Sequence, residues 1–419
     1  MKLRNITAQQ LDQYVAASAK PHFQQTSAWG EVNRKRGYTI IYLGLFDEDK
    51  LVGTALLLEK SLLMYRSFYC PRGFVCDYND HKTVAAFISE LKKYTYEHRG
   101  LYLKFDPDII IARLDKNAQR IQEFLPQQQL IEFLKAHGAT HKGFTTDFRA
   151  TAAPRFTFRV NLDRSQEEIF NGFHATTRTI LRKNNPHHLK ISKNQADDLT
   201  AFYGVMKETL LRKKMYVESF DFFKDFYETL KEKDMADIYT VRADIPAIKQ
   251  EYQKQLVEIT EQIAQLQLKQ GAKTANKLKD LNDRLQRLKK EYALLEAVKA
   301  DELTLSGMIT VRYGNMVWTI HGGNSDQLSF LNANYELYYQ IIKYAKAEGY
   351  SWVDFYGSEG KVDPSSPIYG IFLFKLRFGG DFDEFIGEFD LLCRPWTYKL
   401  ISIALQIRRS LLIKLSLRK

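Results

Sequence analysis

Cysteine and long apolar runs are both scarce in this 419-residue chain. Its three cysteines, Cys70, Cys76 and Cys393, show neither CxxC spacing nor a neighbouring pair of histidines, which argues against a zinc site or a disulfide framework. No run of about 18 apolar residues occurs, so no membrane-spanning helix is expected, and the first residues do not resemble a secretion signal. These absences predict a soluble, cytoplasmic protein of two or three domains with packing cysteines.

Sequence motifs for phosphate and metal binding are absent as well. The chain has no Walker A sequence, no GxGxxG after a predicted strand and no HExxH, so neither a nucleotide energy source nor a metal is predicted. It also lacks the Gln/Arg-x-x-Gly-x-Gly/Ala loop that presents backbone N–H groups to the pyrophosphate of coenzyme A. We therefore expect no cofactor, and an acyl transferase built from this chain would need a donor that is activated elsewhere.

Acidic residues are missing after Asp390, although the chain as a whole is basic. The formal net charge is +11, which favours an anionic partner. Residues 391–419 carry seven of the lysines and arginines, interleaved with apolar side chains. This C-terminal tail suits the surface of an anionic membrane. A terminal helix docked on the protein with a solvated basic face fits the pattern equally well.

A second basic group follows a predicted helix, Gln166 to Ile180. It comprises Arg178, Arg182, Lys183, His187, His188, Lys190 and Lys193. Contact with RNA phosphates is one interpretation, and an ordinary solvated face is the other.

Two heptad runs of apolar residues are the most regular pattern in the chain. They span Ile248 to Leu266 and Leu278 to Leu295, and a polar turn, Gln270 to Asn276, joins them. Steps of four and three keep each apolar row on one seam, so we expect an antiparallel coiled-coil arm whose helices bury only against each other. Helices of about 20 residues would make a rod of roughly 30 Å. The arm serves either packing or dimerisation, or it reaches a large partner.

The remaining sequence suggests a weak internal duplication. Each copy has two strands, a helix and a further strand, from Thr39 to Asp106 and from Asp237 to Tyr356. The arm sits where the first copy has only the turn Asp47–Lys50, a place where an insertion disturbs the fold little. We predict an α/β fold with twin acetyltransferase-like subdomains. The predicted parts are 1–150, 151–243 with 302–380, the arm 244–301 and the tail 391–419, with 380–395 returning to the first subdomain.

Seven short motifs stand in the order and spacing of the FemABX family, which the chain resembles over essentially its whole length. The motifs are Gln25–Trp29, Tyr69–Gly73, Phe105–Pro107, Thr176–Arg178, Phe355–Gly357, Phe374–Lys375 and Phe385–Asp390. The family consists of aminoacyltransferases that build peptidoglycan bridges. The resemblance implies transfer of a small amino acid (Ala, Ser or Gly) from aminoacyl-tRNA to the stem-peptide lysine of a lipid-linked muramyl pentapeptide. It also implies a helical arm that touches tRNA.

Two residues are expected to carry this chemistry. An aminoacyl ester is already activated, so the reaction needs a neutral amine and stabilisation of the oxyanion, and it needs no ATP. Lys375 matches the family's implicated lysine; we expect it on a half-buried strand with its ammonium near the developing negative charge. An ordinary surface lysine is the alternative. Asp106, which ends a strand before Pro107, is expected to orient the acceptor amine, although Asp before Pro also starts turns.

Further residues are expected to bind substrate. By resemblance they are Phe374, His321, Tyr356, Arg72, Arg34, Lys35 and Arg212. Asn33 and Glu218 stand where relatives have phosphate-binding cations, so Arg34 to Arg36 and Arg212 to Lys214 are possible substitutes. His321 and Tyr356 fit packing roles as well.

Two other functions fit the same sequence. One is a non-catalytic module that binds RNA or membrane through the arm and the tail. The other is aminoacyl transfer to a lipid headgroup, which we disfavour because such enzymes usually carry a multi-span membrane domain. For the enzyme we expect a location at the inner face of the cell membrane.

Overall fold

Two β-sheets and a projecting helical hairpin make up the protein. The computed structural model describes residues 1–147, 150–183, 188–268, 272–401 and 403. The strands in chain order are β1 (Lys2–Asn5), β2 (Thr39–Asp47), β3 (Lys50–Leu62), β4 (Tyr65–Cys70), β5 (Gly100–Phe105), β6 (Ile110–Leu114), β7 (Arg120–Glu123) and β8 (Thr140–His141). They continue with β9 (Phe156–Asn161), β10 (Leu189–Lys193), β11 (Ala236–Asp244), β12 (Glu302–Tyr313), β13 (Met316–Asn324), β14 (Trp352–Asp354), β15 (Asp381–Phe385) and β16 (Phe389–Leu392). The predicted α/β class with an inserted helical hairpin is confirmed.

Helices connect these strands and cover the sheets. In chain order they are α1 (Ala8–Ala17), α2 (Ser27–Lys35), α3 (His81–Glu97), α4 (Leu125–Ala136), α5 (Gln166–Gly172) and α6 (Ala175–Lys183). The others are α7 (Asp198–Arg212), α8 (Phe220–Lys231), α9 (Ile245–Gln267), α10 (Ala272–Ala297), α11 (Ala333–Ala347) and α12 (Tyr369–Leu376). Within the described ranges, no helix is long and apolar enough to cross a bilayer.

Local sequence explains why the elements form where they do. In α3, Val84, Phe87 and Leu91 recur on one face and are fully buried, as an amphipathic helix requires. Asp80 caps its N-terminus, because its carboxylate accepts a hydrogen bond of 3.2 Å from the Thr83 amide. In β3, the seven residues from Gly53 to Glu59 are all buried, as expected of a strand that lies inside a sheet and is covered on both faces.

The two sheets repeat one arrangement. In the first, β2 and β3 form an antiparallel hairpin, and β4 adds to it antiparallel to β3. Helix α3 then leads to β5, which is parallel to β4. In the second, β11 to β14 follow the same pattern, and α11 leads to β14, parallel to β13. A parallel neighbour requires such a helical crossover. The order of elements predicted for the two copies is therefore present.

Strand exchange ties the two sheets together. The seven-stranded sheet has the order β1-β2-β3-β4-β5-β16-β8, and the nine-stranded sheet has the order β10-β11-β12-β13-β14-β9-β15-β6-β7. The predicted first part, 1–150, thus contributes β6 and β7 to the second sheet. The returning segment 380–395 is shared, because β15 joins the second sheet and β16 joins the first. A common core, which includes Phe23, Leu56, Phe202 and Ile309, also packs one half against the other.

The arm is an antiparallel pair formed by α9 and α10. Its outer part has an apolar core of its own, made by Ile259, Ile263, Leu281 and Leu288. The two ends are close, since the Ile245 amide donates a hydrogen bond of 2.9 Å to the carbonyl of Asp301. An insertion between β11 and β12 therefore leaves their pairing intact.

Two predictions about the arm are corrected. Its helices do not bury only against each other, because Ile248 and Leu295 at the base belong to the main core of the second half. The second helix also begins at Ala272, inside the predicted turn, because its polar first residues are compatible with a helix. Residues 269–271 lie outside the described ranges.

The predicted helix before the basic group differs from the structure, and the tail is described only in part. The helix predicted from Gln166 to Ile180 is broken into α5 and α6. Of the basic group that follows, His187 lies outside the described residues. In the tail, residues 395–401 are helical, and 402 and 404–419 lie outside the described part of the chain.

Candidate active site

A cavity of about 470 Å³ lies at the C-terminal ends of the parallel strands β13 and β14. Its wall comes from α7, β12, the end of β13, the loop after β14, and α12. Among the lining residues are Lys213, His321, Asn324, Tyr356, Gly357, Phe374 and Lys375. Carboxyl ends of parallel strands are a common location for ligand sites in α/β folds. We refer to it as the Lys375 cavity.

Lys375 lies on α12, so the prediction that it lies on a strand is wrong. A short apolar run such as Tyr369–Phe374 fits a buried helix as well as a strand, and burial against the second core decides for the helix. The side chain is 7% exposed. The ammonium donates hydrogen bonds to the carbonyl oxygens of Tyr356 and, at 2.6 Å, Gly357. The alternative, that Lys375 is an ordinary surface lysine, is therefore wrong.

The protonation of Lys375 is sensitive to this environment. Burial lowers the pKa of its ammonium to about 7, although Asp354 acts in the opposite direction and Lys213 adds to the lowering. A lysine with a pKa near neutrality exchanges its proton readily under working conditions. The cavity therefore holds a group that can be either a cation or a proton acceptor near pH 7.

The loop after β14 presents the carbonyls that Lys375 binds. Tyr356 and Gly357 both have positive φ angles, of 50° and 32°, which is unusual for a tyrosine. Asp354 holds this turn, because its carboxylate accepts a hydrogen bond of 2.7 Å from the Tyr356 amide. Burial raises the pKa of Asp354. The sequence analysis did not single out Asp354; an acid inside an otherwise apolar strand was the available signal.

Phe374 and His321 contribute apolar wall to the cavity. Phe374 packs against Tyr335, with a ring separation of 4.9 Å. The His321 ring contacts the edges of three phenylalanines on α8, the nearest being Phe226 at 4.8 Å. Burial, with a smaller effect of Arg36, lowers the pKa of His321 to about 3. The imidazole is therefore neutral near pH 7, and packing is the role that its contacts describe.

Asp106 and Arg72 are neighbours, but Asp106 does not line the Lys375 cavity. The Asp106 carboxylate is buried, and its Oδ1 accepts a hydrogen bond of 3.0 Å from the Arg72 amide. Burial raises the pKa of Asp106 to about 6, although Arg72 opposes the change. The Arg72 guanidinium donates a hydrogen bond of 2.8 Å to the Pro154 carbonyl and lies 4.4 Å from the Phe385 ring centre.

A small polar cavity lies beside Arg72 and the Tyr356–Gly357 turn. It has a volume of about 10 Å³, room for one water-sized group. Arg72, Tyr356 and Gly357 all line it, and Tyr356 and Gly357 also line the Lys375 cavity. The remaining wall includes His22, Asp108, Thr157, Arg159, Trp318 and Asp354. The predicted residues Lys375, Phe374, His321 and Tyr356 thus share one cavity, and Arg72 lies outside its lining.

Three predicted binding cations lie at the surface instead. Arg34 pairs with Glu31, and Lys35 pairs with Asp225 at 3.4 Å. Arg212 is 2.9 Å from Asp326, and it donates to the carbonyl of Asn324 at the cavity rim. Exposed pairs of this kind hold their side chains weakly.

Arg36, which follows Arg34 and Lys35, points inward. Its guanidinium lies 4.3 Å from the ring centre of Phe222. Arg36 makes no ion pair with any residue that the structure describes. Of the three successive cations, it is the one aimed towards His321, because both pack on the aromatic face of α8.

Nearly the whole chain is similar to proteins that are already known. A model of the FemAB family matches residues 6–406. The chain is 28% identical over 411 residues to the lipid II:glycine glycyltransferase of Staphylococcus haemolyticus (strain JCSC1435), covering 96% of this chain and 95% of the relative. It is 26% identical over 413 residues, with the same coverage, to the protein of that name from Staphylococcus aureus (strain MRSA252). The crystal structure of FemX aligns with a TM-score of 0.75 and 25% identity, over 96% of this chain and all of the other.

Proposed function

We propose that this chain, which belongs to the FemAB family, transfers an aminoacyl group from aminoacyl-tRNA to the stem-peptide lysine of a lipid-linked peptidoglycan precursor. The observation that carries the proposal is the buried Lys375 ammonium beside the Tyr356–Gly357 turn. Its relatives named lipid II:glycine glycyltransferase support a lipid-linked acceptor.

The reaction is an aminolysis of an ester. The neutral amine of the stem-peptide lysine attacks the carbonyl carbon of the aminoacyl ester. A C–N bond forms while the carbonyl oxygen becomes an oxyanion. The C–O bond to the ribose then breaks, and the proton lost by the amine ends on the departing ribose oxygen. A cation or hydrogen-bond donor near the oxyanion lowers the barrier because charge develops there in the transition state.

Lys375 has the properties for this electrostatic role. Its ammonium lies in the cavity wall, where a low local dielectric strengthens its effect on a nearby negative charge. The carbonyls of Tyr356 and Gly357 fix its direction, so little reorganisation is needed during the reaction. Because its pKa is about 7, the same side chain can also exchange a proton with the reacting groups.

The transferred residue is proposed to be small. The family resemblance implies Ala, Ser or Gly, and glycine is the first to test because the relatives are named glycyltransferases. The donor is proposed to be an aminoacyl-tRNA because its ester needs no further activation. The arm, formed by α9 and α10, is proposed to contact the tRNA, since it projects beyond the body and offers lysines and arginines along α10.

A transfer assay tests the proposal directly. Purified full-length protein is mixed with tRNA charged with radiolabelled glycine, alanine or serine, and with either the lipid-linked precursor or its soluble nucleotide form. We expect label in the lipid-linked precursor with at least one of the three. Label in phosphatidylglycerol instead would identify a lipid-headgroup transferase. RNA or liposome binding without transfer from any charged tRNA would identify a non-catalytic binding module.

Peripheral contact with an anionic membrane is also proposed, through the start of the tail. Trp396 and Leu400 are 81% and 70% exposed, and Ile403 is 45% exposed. Their spacing of four and three places all three on one face of the helical segment that starts at residue 395. This apolar face, with the basic residues that follow, matches a surface-binding helix.

Liposome co-sedimentation tests this contact. The triple change of Trp396, Leu400 and Ile403 to Ser should reduce binding to vesicles containing phosphatidylglycerol. Leu63→Ser with Met64→Ser is the matched control, because both are exposed apolar residues in the β3–β4 turn. Undiminished binding by the triple variant would exclude the tail helix as the contact.

A further inference from the structure

Asp354 is a buried acid at the end of β14 that does not itself line the Lys375 cavity. The strand β14 pairs with β13 on one side and with β9 on the other, so the position of this residue is fixed by the sheet. Its side chain is buried, and it forms no ion pair with any residue that the structure describes. A buried carboxylate without a paired cation is costly to the folded protein, and its hydrogen bonds therefore indicate why it is there.

The Tyr356–Gly357 turn needs a side-chain anchor, and Asp354 provides one. The turn has positive φ angles, and this backbone conformation is unfavourable for a tyrosine. Oδ1 of Asp354 accepts a hydrogen bond of 2.7 Å from the Tyr356 amide. The residues on either side of the turn are bonded to β9 through their backbone amides, at 2.9 and 2.8 Å. The carboxylate thus holds the turn between these two backbone attachments.

Thr157, on β9, fixes the orientation of this carboxylate. Its hydroxyl donates a hydrogen bond to Oδ1 of Asp354, the same oxygen that binds the Tyr356 amide. Thr157 is itself buried. The terminal torsion of an aspartate is otherwise broad, so two donors on one oxygen restrict the carboxylate to the direction that the turn requires.

Neutralising Arg159 is the other role that a buried acid could have at this place. Burial raises the pKa of Asp354, and Arg159 opposes that rise. However, Arg159 already pairs with Asp383, and its Nε and Nη2 lie 2.7 and 2.6 Å from the carboxylate of that residue. The guanidinium therefore has its own counter-ion, and the observed hydrogen bonds of Asp354 are directed to the turn and to Thr157.

The turn passes this order on to Lys375. The carbonyl oxygens of Tyr356 and Gly357 accept hydrogen bonds from the Lys375 ammonium. A lysine side chain is flexible along its four-carbon stem, so the two carbonyls decide where its charge lies. Asp354 also acts on this charge from a distance. Burial lowers the pKa of Lys375, and Asp354 is the acid that opposes the lowering.

We propose that Asp354 is a positioning residue for the transfer reaction: its carboxylate, oriented by Thr157, holds the Tyr356–Gly357 turn, and the carbonyls of that turn direct the Lys375 ammonium. This inference rests on the proposed function. Asp354 contacts neither substrate in this scheme, and its whole effect on the rate passes through Lys375.

Steady-state kinetics with substitutions at Asp354 and Thr157 test the proposal. Asp354→Ala should lower kcat about 10- to 100-fold, because a small displacement of the ammonium weakens its effect on the oxyanion. The KM for either substrate should change little, as expected for a contact that acts only in the transition state. Thr157→Val should lower kcat about three- to tenfold, since one hydrogen bond to the carboxylate is lost.

Asparagine distinguishes positioning from a need for charge. Asp354→Asn keeps an oxygen that can accept the same two hydrogen bonds, so it should recover most of the kcat that alanine loses. An asparagine variant as slow as the alanine variant at every pH would overturn the proposal.

A double-mutant cycle tests whether the effect passes through Lys375. In the Lys375→Met background, Asp354→Ala should cause no further fall in the residual rate, because the group that Asp354 positions is already absent. A second fall as large as the first would show that Asp354 acts independently of Lys375, and it would overturn the proposal.

Asp198 and Thr240 form a matched control pair in the same half of the protein. Asp198 is buried, its Oδ1 accepts a hydrogen bond of 2.8 Å from the Thr240 hydroxyl, and it does not line the Lys375 cavity. Asp198→Ala and Thr240→Val should lower the thermal midpoint but leave the kcat of the folded protein unchanged. Equal losses of kcat in the control pair and in the Asp354 and Thr157 variants would show a general effect of destabilisation and overturn the proposal.

Two measurements that need no turnover separate this inference from the proposed function. Hydrogen–deuterium exchange at the Tyr356 amide should become faster in Asp354→Ala than in the wild type. Nuclear magnetic resonance of lysine labelled at Cε, with the Lys375 signal assigned by its absence in Lys375→Met, should show a lower pKa of Lys375 in Asp354→Asn than in the wild type.

The combined outcomes are distinct. If the wild type transfers but the Asp354 variants keep its kcat, the positioning role is wrong and the function stands. If the wild type transfers nothing while exchange at the turn and the pKa of Lys375 respond to Asp354, the placement of Lys375 by Asp354 stands and the function is wrong.

Discussion

The ammonium of Lys375 and the carbonyl of Gly357 are joined by a hydrogen bond of 2.6 Å. This contact attaches α12 to the loop after β14 and directs a buried cation along the wall of the Lys375 cavity. Because the same ammonium also binds the neighbouring carbonyl of Tyr356, its position depends on a turn with positive φ angles. A substitution of Lys375 therefore tests whether its charge is needed. A substitution in the Tyr356–Gly357 turn tests whether the position of the ammonium is needed.

Replacing this lysine should abolish transfer while the fold persists. We expect Lys375→Met to lower kcat about 10²- to 10³-fold, the usual effect of losing one preorganised group that stabilises an oxyanion. Methionine has a similar length and is compatible with the apolar surroundings of α12. The transfer assay and far-ultraviolet circular dichroism are the measurements.

Lys361→Met is the matched control for that variant. Lys361 is exposed and pairs with Asp363 at 2.9 Å, so its loss should leave transfer unchanged. Full activity of Lys375→Met would remove Lys375 from the mechanism.

Stability should depend on pH through Lys375. Burial lowers the folded-state pKa of Lys375 to about 7, whereas an unperturbed lysine has a pKa of 10.5. Between these values the unfolded chain binds a proton that the native protein does not, so the free energy of unfolding contributed by this group rises with pH. The slope is at most about 1.4 kcal/mol per pH unit. Below pH 7 both states are protonated, and the full cost of burying the charge is present.

Denaturant unfolding of the wild type and Lys375→Met at pH 7 and pH 9 checks this. The wild type should gain stability relative to the variant as the pH rises. An identical pH dependence of the two proteins would show that Lys375 has an ordinary pKa in the folded state.

Two substitutions at Asp106 distinguish a role in positioning the Arg72 loop from a need for the negative charge of the carboxylate. Asp106→Ala leaves the buried Arg72 amide without its acceptor, so we expect a loss of about 1 to 3 kcal/mol in the free energy of unfolding. Asp106→Asn retains an oxygen acceptor and should keep most of the stability and activity. Thermal unfolding and the KM for the acceptor are the measurements.

The pair of variants decides between two roles. Rescue by asparagine indicates that Asp106 positions the Arg72 loop. An inactive but stable Asp106→Asn would instead indicate that the carboxylate charge is needed, as the family resemblance implies.

The arm should unfold independently of the body. Ile259 is 2% exposed and belongs to the separate apolar core of the hairpin. Ile259→Asp should therefore make residues 245–297 sensitive to limited proteolysis without changing the thermal midpoint of the body. Under the proposed function, the KM for aminoacyl-tRNA should rise as well.

Val257→Asp is the comparison for the arm. Val257 lies on the outer face and is 57% exposed, so the same new charge should leave the hairpin folded. A lowered thermal midpoint of the body in Ile259→Asp would show that the arm and the body unfold together.

Several conclusions were available from residue patterns. The heptads of 248–295 predicted the hairpin because two amphipathic helices joined by a short polar turn can bury their apolar seams against each other. The ordered motifs predicted the family, and the match over 6–406 confirms it. The predictions of an aminoacyltransferase and of peptidoglycan bridge synthesis are confirmed with it. The site roles, the tRNA donor and the membrane contact stay predictions.

Other features depended on long-range packing. Lys375 lies on a helix because the second core covers Tyr369–Phe374, and a run of six apolar residues does not reveal its partner. Arg34 and Lys35 lie at the surface, whereas Arg36 turns inward onto aromatic rings from α8.

The sequence by itself determined the hairpin, the duplicated order of elements and the family, because each is a property of residues that are regularly spaced along the chain. The tertiary structure alone decided which charged groups meet in a cavity, which are paired at the surface and which are left without a partner. The physical reason is that burial and charge pairing depend on distances between residues far apart in sequence, and strand exchange between the two sheets sets those distances.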